Sequence, residues 1–95
     1  MSVYVQMERL TTTHCVIDTC GDKRIYDFFK NKIGEFDDSK RYFFNYSILN
    51  ELKEYIETFV GDDNFDFSDI DFILSEIEDE LYFAPKDTVY IVWLY

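Results

Sequence analysis

The last eight residues, Thr88 to Tyr95 (TVYIVWLY), are almost unbroken in β-branched and aromatic side chains. A run of this kind reads as an interior strand covered on both faces, because no polar alternation marks a side for water. It predicts that the C-terminal end of the chain is tied into a sheet. The sheet's other strands must therefore come from earlier in the sequence.

The opening segment supplies the first candidates. Val3, Val5 and Met7 alternate with Tyr4, Gln6 and Glu8, the period of a half-buried strand. Thr11, Thr12 and Thr13 interrupt it, and His14 to Thr19 resumes with β-branched residues, so a β-hairpin is the simplest reading. Cys20, Gly21 and Asp22 break the second strand. Arg24 to Ile33 then shows helical spacing through Ile25, Phe28, Phe29 and Ile33, with Gly34 as a C-terminal stop.

Glu35 to Lys40 is a polar loop, and Arg41 to Tyr46 is aromatic enough for a short third strand. Ser47 can cap a second helix whose apolar residues Ile48, Leu49, Leu52, Tyr55, Ile56, Phe59 and Val60 share one arc at about 100° per residue, with Gly61 as its end. Ser68 with Asp71 resembles a capping box, opening a third helix lined by Ile70, Ile73, Leu74, Ile77 and Leu81. Ala84 to Asp87 makes a turn into the final strand. The expectation is one α+β domain over residues 1–95, with a small, largely antiparallel sheet (N-terminal hairpin plus C-terminal strand) covered by about three helices.

With 47% hydrophobic and 20% aromatic residues, a chain of 95 residues has the material for an efficient core. The N-terminus lacks the basic and apolar regions of a signal peptide, and the apolar stretch near Val89 to Tyr95 is too short to span a bilayer. A soluble, cytoplasmic protein is expected. If their segment is extended, Cys15 and Cys20 point to opposite faces roughly 16 Å apart, so free, packed thiols are expected. A hydrophobic C-terminal strand could pair with a second copy if it lay at a sheet edge.

Charge carries the functional information. The 20 acidic and 9 basic residues give a net −11. Residues 1–53 balance eight acids with eight bases, whereas residues 54–95 hold twelve acids against Lys86 alone. Glu51, Glu54 and Glu57 form a row on the second helix, away from its apolar arc. On the third helix Asp69, Glu76, Asp79 and Glu80 lie within roughly a third of the circumference, with Asp71 and Glu78 on the other flank. Asp62, Asp63 and Asp66 join the two helices. Ordinary surface helices intersperse Lys and Arg to relieve repulsion, but from Glu54 to Pro85 there is no base, and only Lys53 can pair, with Glu57. A solvated, solubilising face is the plain explanation, and the missing bases argue against it.

Phe72 projects among Asp69, Glu76 and Asp79, and Tyr82 near Asp71 and Glu78, both off the apolar stripe. An aromatic ring amid charge supplies buried area, while the charges supply steering and register. A row of carboxylates flanked by aromatics can occupy a Lys- and Arg-lined groove in place of nucleic acid, whose duplex carries one charge per about 1.7 Å of axis. This is the logic of DNA-mimic inhibitors, a functional class that is common among phage proteins and includes anti-restriction, anti-CRISPR and uracil-glycosylase inhibitor proteins. The likeness is one of surface style. The expected partner is a basic, nucleic-acid-binding host protein or nuclease complex, with no direct nucleic acid and no membrane. The partner-binding residues expected are Glu54, Glu57, Asp62, Asp63, Asp66, Asp69, Phe72, Glu76, Asp79 and Glu80. The alternative with the same face is an immunity protein for a cationic toxin nuclease, and a third is an enzymatic or metal-binding accessory domain.

Motifs for catalysis or cofactors are missing from the sequence. Asp62, Asn64, Asp66 and Ser68 match positions 1, 3, 5 and 7 of a calcium-binding loop, but Phe67 stands where Gly makes the turn and Ile73 where a bidentate Glu closes the shell. His14 and Cys15 are strand neighbours pointing to opposite faces, so they cannot form a nucleophile and base dyad. One His, no cysteine pair at metal-ligand spacing and three scattered glycines indicate neither zinc nor nucleotide chemistry. No cofactor and no enzymatic activity are expected.

Overall fold

The computed structural model describes residues 4–12, 14–58 and 67–94, and of residue 19 and residues 67–69 the backbone alone. The C-terminal run forms β4 (Val89–Leu94) and lies inside a four-stranded sheet. It pairs antiparallel on one side with β1 (Val5–Arg9) and on the other with β3 (Arg41–Asn45). β2 (Cys15–Cys20) pairs antiparallel with β1, giving the order β2-β1-β4-β3. β4 is thus interior by pairing, and it is not an edge.

The expectation of cover on both faces of β4 is corrected. Tyr90, Val92 and Leu94 are buried, while Val89 is exposed and Ile91 and Trp93 are half-buried. One face meets the helices, and the other carries its own partly exposed side chains. The aromatic and branched residues on that second face made the run look continuous, so composition hid an ordinary alternation.

Register fixes which residues share the helix-facing side. Val5 lies opposite Leu94, Met7 opposite Val92 and Arg9 opposite Tyr90. Tyr42 lies opposite Val92 and Phe44 opposite Tyr90. The other face carries Gln6 beside Trp93 and Arg41, and Glu8 beside Ile91 and Phe43. The β1–β2 register shifts twice, between Val5 and Met7 and again between Met7 and Glu8, so β2 is a bulged edge. Cys15 is half-buried and Cys20 buried, and no disulfide joins them.

The first helix, α1 (Lys23–Ile33), starts where Asp22 accepts a hydrogen bond from the Arg24 amide at 2.8 Å. It ends at Gly34, whose φ of 91° lets its amide return to the Lys30 carbonyl. The second, α2 (Ser47–Glu57), begins one residue away from the expected cap. Tyr46 holds the N-cap position, and Asn45 Oδ1 accepts from the Ser47 amide and hydroxyl instead. Thr58 closes α2. Phe59, Val60 and the expected stop at Gly61 lie outside the described residues. The third helix, α3 (Phe67–Phe83), begins one residue before Ser68, which places Ser68 inside its first turn and not at the cap position expected for it.

All three helices contribute to one core. Ile25 and Phe29 of α1, Leu49, Leu52 and Ile56 of α2, and Ile70 and Ile77 of α3 cluster with Val5, Met7, Ile17, Tyr90 and Val92, each at most 1% exposed. Each such aliphatic side chain contributes about 1.5–3 kcal/mol on burial. An aromatic seam joins α1 to the sheet, Phe29 meeting Phe44 at 5.5 Å between ring centroids and Phe36 meeting Tyr42 at 5.4 Å. α3 packs against α2 and β2.

Candidate protein-binding face

The 3.6-residue repeat of α3 divides it sharply. Ile70, Ile73, Ile77 and Ala84 are buried, with Leu74 and Leu81 half-buried at the margin. The opposite side carries Asp71, Phe72, Glu78, Asp79, Tyr82 and Phe83, all exposed. Three large aromatics point away from the core: Phe72 is 65% exposed, Phe83 72% and Tyr82 83%. Tyr82 and Phe83 meet edge to face with centroids 4.8 Å apart. Phe72, Glu76, Asp79 and Phe83 fall along one line at i, i+4, i+7 and i+11, so that face alternates ring and carboxylate.

Folding does not account for this pattern. No basic residue stands in the last turn of α3, although Glu78 and Asp79 approach the C-terminal end, where the helix dipole disfavours negative charge. α1 shows the ordinary arrangement, with Lys30 and Lys32 in its last turn. Exposed rings also gain nothing from burial while they remain in water.

Of the expected binding residues, Glu54, Glu57, Phe72 and Asp79 are exposed and Glu76 is half-buried. Glu57 pairs with Lys53 at 3.5 Å, the one pairing anticipated from the sequence. Glu54 and Glu51 border an open groove of about 440 Å³ between α1 and α2, floored by Phe28 and Tyr55, where Lys32 pairs with Glu51. Asp62, Asp63 and Asp66 lie outside the described residues, as does the Asp69 side chain, and so does most of the calcium-loop pattern at Asp62, Asn64, Asp66 and Ser68. Among the described residues no group of three His, Cys, Asp or Glu side chains is placed to hold a metal.

Glu80 is a correction. Its side chain is 3% exposed and turns inward, where Arg9 Nε and Nη2 donate to its two oxygens at 2.6 and 2.8 Å. The Tyr90 hydroxyl donates to it at 2.9 Å, and His14 Nε2 stands 3.5 Å away. Burial pushes the Glu80 carboxyl up, but the bonds from Arg9 and Tyr90 outweigh this and hold it below the ordinary carboxylate value. The bond to Glu80 raises Arg9, and burial together with that same carboxylate raises Tyr90. The wheel position of Glu80 borders the apolar stripe, and a charge there is buried because a cation from β1 meets it.

Sequence reasoning missed Phe83 as a surface ring and Glu80 as an internal carboxylate. Phe83 could have been found, since it stands about three turns beyond Phe72 on the same wheel sector. Glu80 could not, because its partner comes from the other end of the chain. His14 and Cys15 also part company: His14 faces Glu80, whereas Cys15 Sγ accepts from Gln6 Nε2 at 3.3 Å. Burial and the nearby Asp18 and Glu8 push the Cys15 thiol up, away from the reactive thiolate.

Comparison with known protein families, curated proteins and solved structures found no match to this chain. Among the described residues no helix is long and apolar enough to cross a membrane.

Proposed function

We propose that this protein is a non-catalytic inhibitor that places the acidic, aromatic face of α3 into a basic, nucleic-acid-binding site of a partner protein in the cytoplasm. The observation that carries the reading is the exposure of Phe72, Tyr82 and Phe83 among Asp71, Glu78 and Asp79 on a helix with no base in its last turn. The rings are the anchors, and the carboxylates meet the Lys and Arg that otherwise hold phosphates. Glu54 and Glu57 extend the negative field onto α2. Glu80 drops out as a contact and becomes a strut that orients the helix.

The test is capture of a partner from host lysate at low and high salt, followed by competition with DNA or RNA. Capture is expected to weaken as salt rises and nucleic acid to displace the partner. Glu76→Lys with Asp79→Lys, or Phe72→Ala with Phe83→Ala, is expected to lower affinity by about 30-fold or more, the effect of losing about 2 kcal/mol at a hot spot. A partner that binds nucleic acid and this protein together, or an affinity indifferent to both double variants, overturns the proposal.

A further inference from the structure

The two edges of the sheet are treated differently. On the β2 side the strand is bulged twice against β1 and carries an exposed Asp18, devices that discourage another strand from adding. On the other side β3 runs in unbroken register with β4 for all five residues, with no proline and no bulge. Among the described residues no strand pairs with its outer side, which leaves a row of backbone donors and acceptors for a further strand. Phe43 stands on this edge, 60% exposed.

Charge says what can approach there. Residues 39–50 (SKRYFFNYSILN) form the longest stretch free of acid in a chain with 20 acids, and they include Lys40 and Arg41. Two copies each carrying −11 repel over most of their surfaces, and the β3 edge is the stretch where no acid of one copy meets an acid of the other. The side chains are also self-complementary. An antiparallel pairing about a two-fold axis at Phe43 sets Phe43 opposite Phe43, Arg41 opposite Asn45 and Tyr42 opposite Phe44. Rings then meet rings on both faces of the sheet, and each arginine faces an amide instead of another arginine.

We infer that a second copy of this chain adds to the β3 edge in this register, extending the four-stranded sheet to eight strands across a two-fold axis. α3 packs against α2 and β2 and meets the β3 side through the Tyr46 hydroxyl and the Leu81 carbonyl, so the dimer leaves the outward face of each α3 open. This inference is independent of what those faces bind.

The experiment is sedimentation equilibrium of the 95-residue chain across concentration and salt, with Phe43→Lys as the variant and hydrogen exchange as a second readout. A reversible species of twice the 11.5 kDa chain mass is expected. It should tighten as salt screens the repulsion, the reverse of the salt effect expected for the basic partner. Phe43→Lys is expected to weaken association about tenfold or more while circular dichroism stays native, and the amides of β3 should exchange more slowly as concentration rises. A mass of one chain throughout overturns the inference, including the case where the edge takes a strand from a different protein. So does a dimer that Phe43→Lys leaves unchanged with β3 exchange independent of concentration.

Discussion

Arg9 and Glu80 lie 71 positions apart in the chain and are joined in the fold by two hydrogen bonds. A carboxylate 3% exposed is tolerated because the guanidinium, itself 21% exposed, and the Tyr90 hydroxyl replace the water it lost. Glu80→Ala leaves that guanidinium facing the interior unpaired, and is expected to cost about 3–5 kcal/mol in urea unfolding. Tyr90→Phe removes one donor and should cost about 1 kcal/mol. The sign of the pH effect follows from the direction of the Glu80 shift. Its folded carboxyl titrates below the ordinary value of 4.5, so its contribution is complete above that value and is lost as pH falls through the lower, folded value. Glu80→Ala should therefore flatten the loss of stability below about pH 4.5. An acid limb of unchanged slope in that variant would mean that other carboxylates carry it.

Each element is delimited by its own chemistry, and α1 is the clearest case. Asp22 closes its first turn, and Gly34 terminates it at a φ of 91°, a region that side chains with a Cβ rarely adopt. A Cβ on Gly34 would meet no atom within 4 Å, so Gly34→Ala isolates backbone strain from steric clash. The expected cost is about 1 kcal/mol by denaturant unfolding, with no change in spectroscopic helix content. A neutral result would show that the C-terminal turn of α1 relaxes out of the left-handed region. The spacing of Ile25, Phe28 and Phe29 and the stop at Gly34 were legible without the fold, since they lie within ten residues, whereas Asp22 read only as a breaker of the preceding strand. The start of α2 was less legible, since Ser47 and Asn45 are both good capping types and only the backbone path out of β3 selects Asn45 Oδ1 as the acceptor.

Over the whole molecule, a net charge of −11 opposes compaction, and the Arg24–Asp22, Lys32–Glu51 and Lys53–Glu57 pairs, with both partners partly exposed, offset little of it. Added salt should therefore raise the melting temperature, because screening at a Debye length of about 10 Å in 0.1 M salt weakens long-range repulsion more than the interior Arg9–Glu80 contact. Thermal unfolding followed from low to high sodium chloride checks this, and a falling melting temperature would mean that the surface pairs outweigh the repulsion. The sequence by itself determined the element types, the apolar stripes of the helices, the uneven charge and the outward positions of Phe72 and Tyr82, because these depend on contacts within one or two turns of chain. Only the tertiary structure decided that β4 is covered on one face, that Glu80 points inward to Arg9, and that β2 and β3 are the end strands of the sheet. Those depend on which strands pair and in what register, and that is set by side chains far apart in sequence meeting in one core.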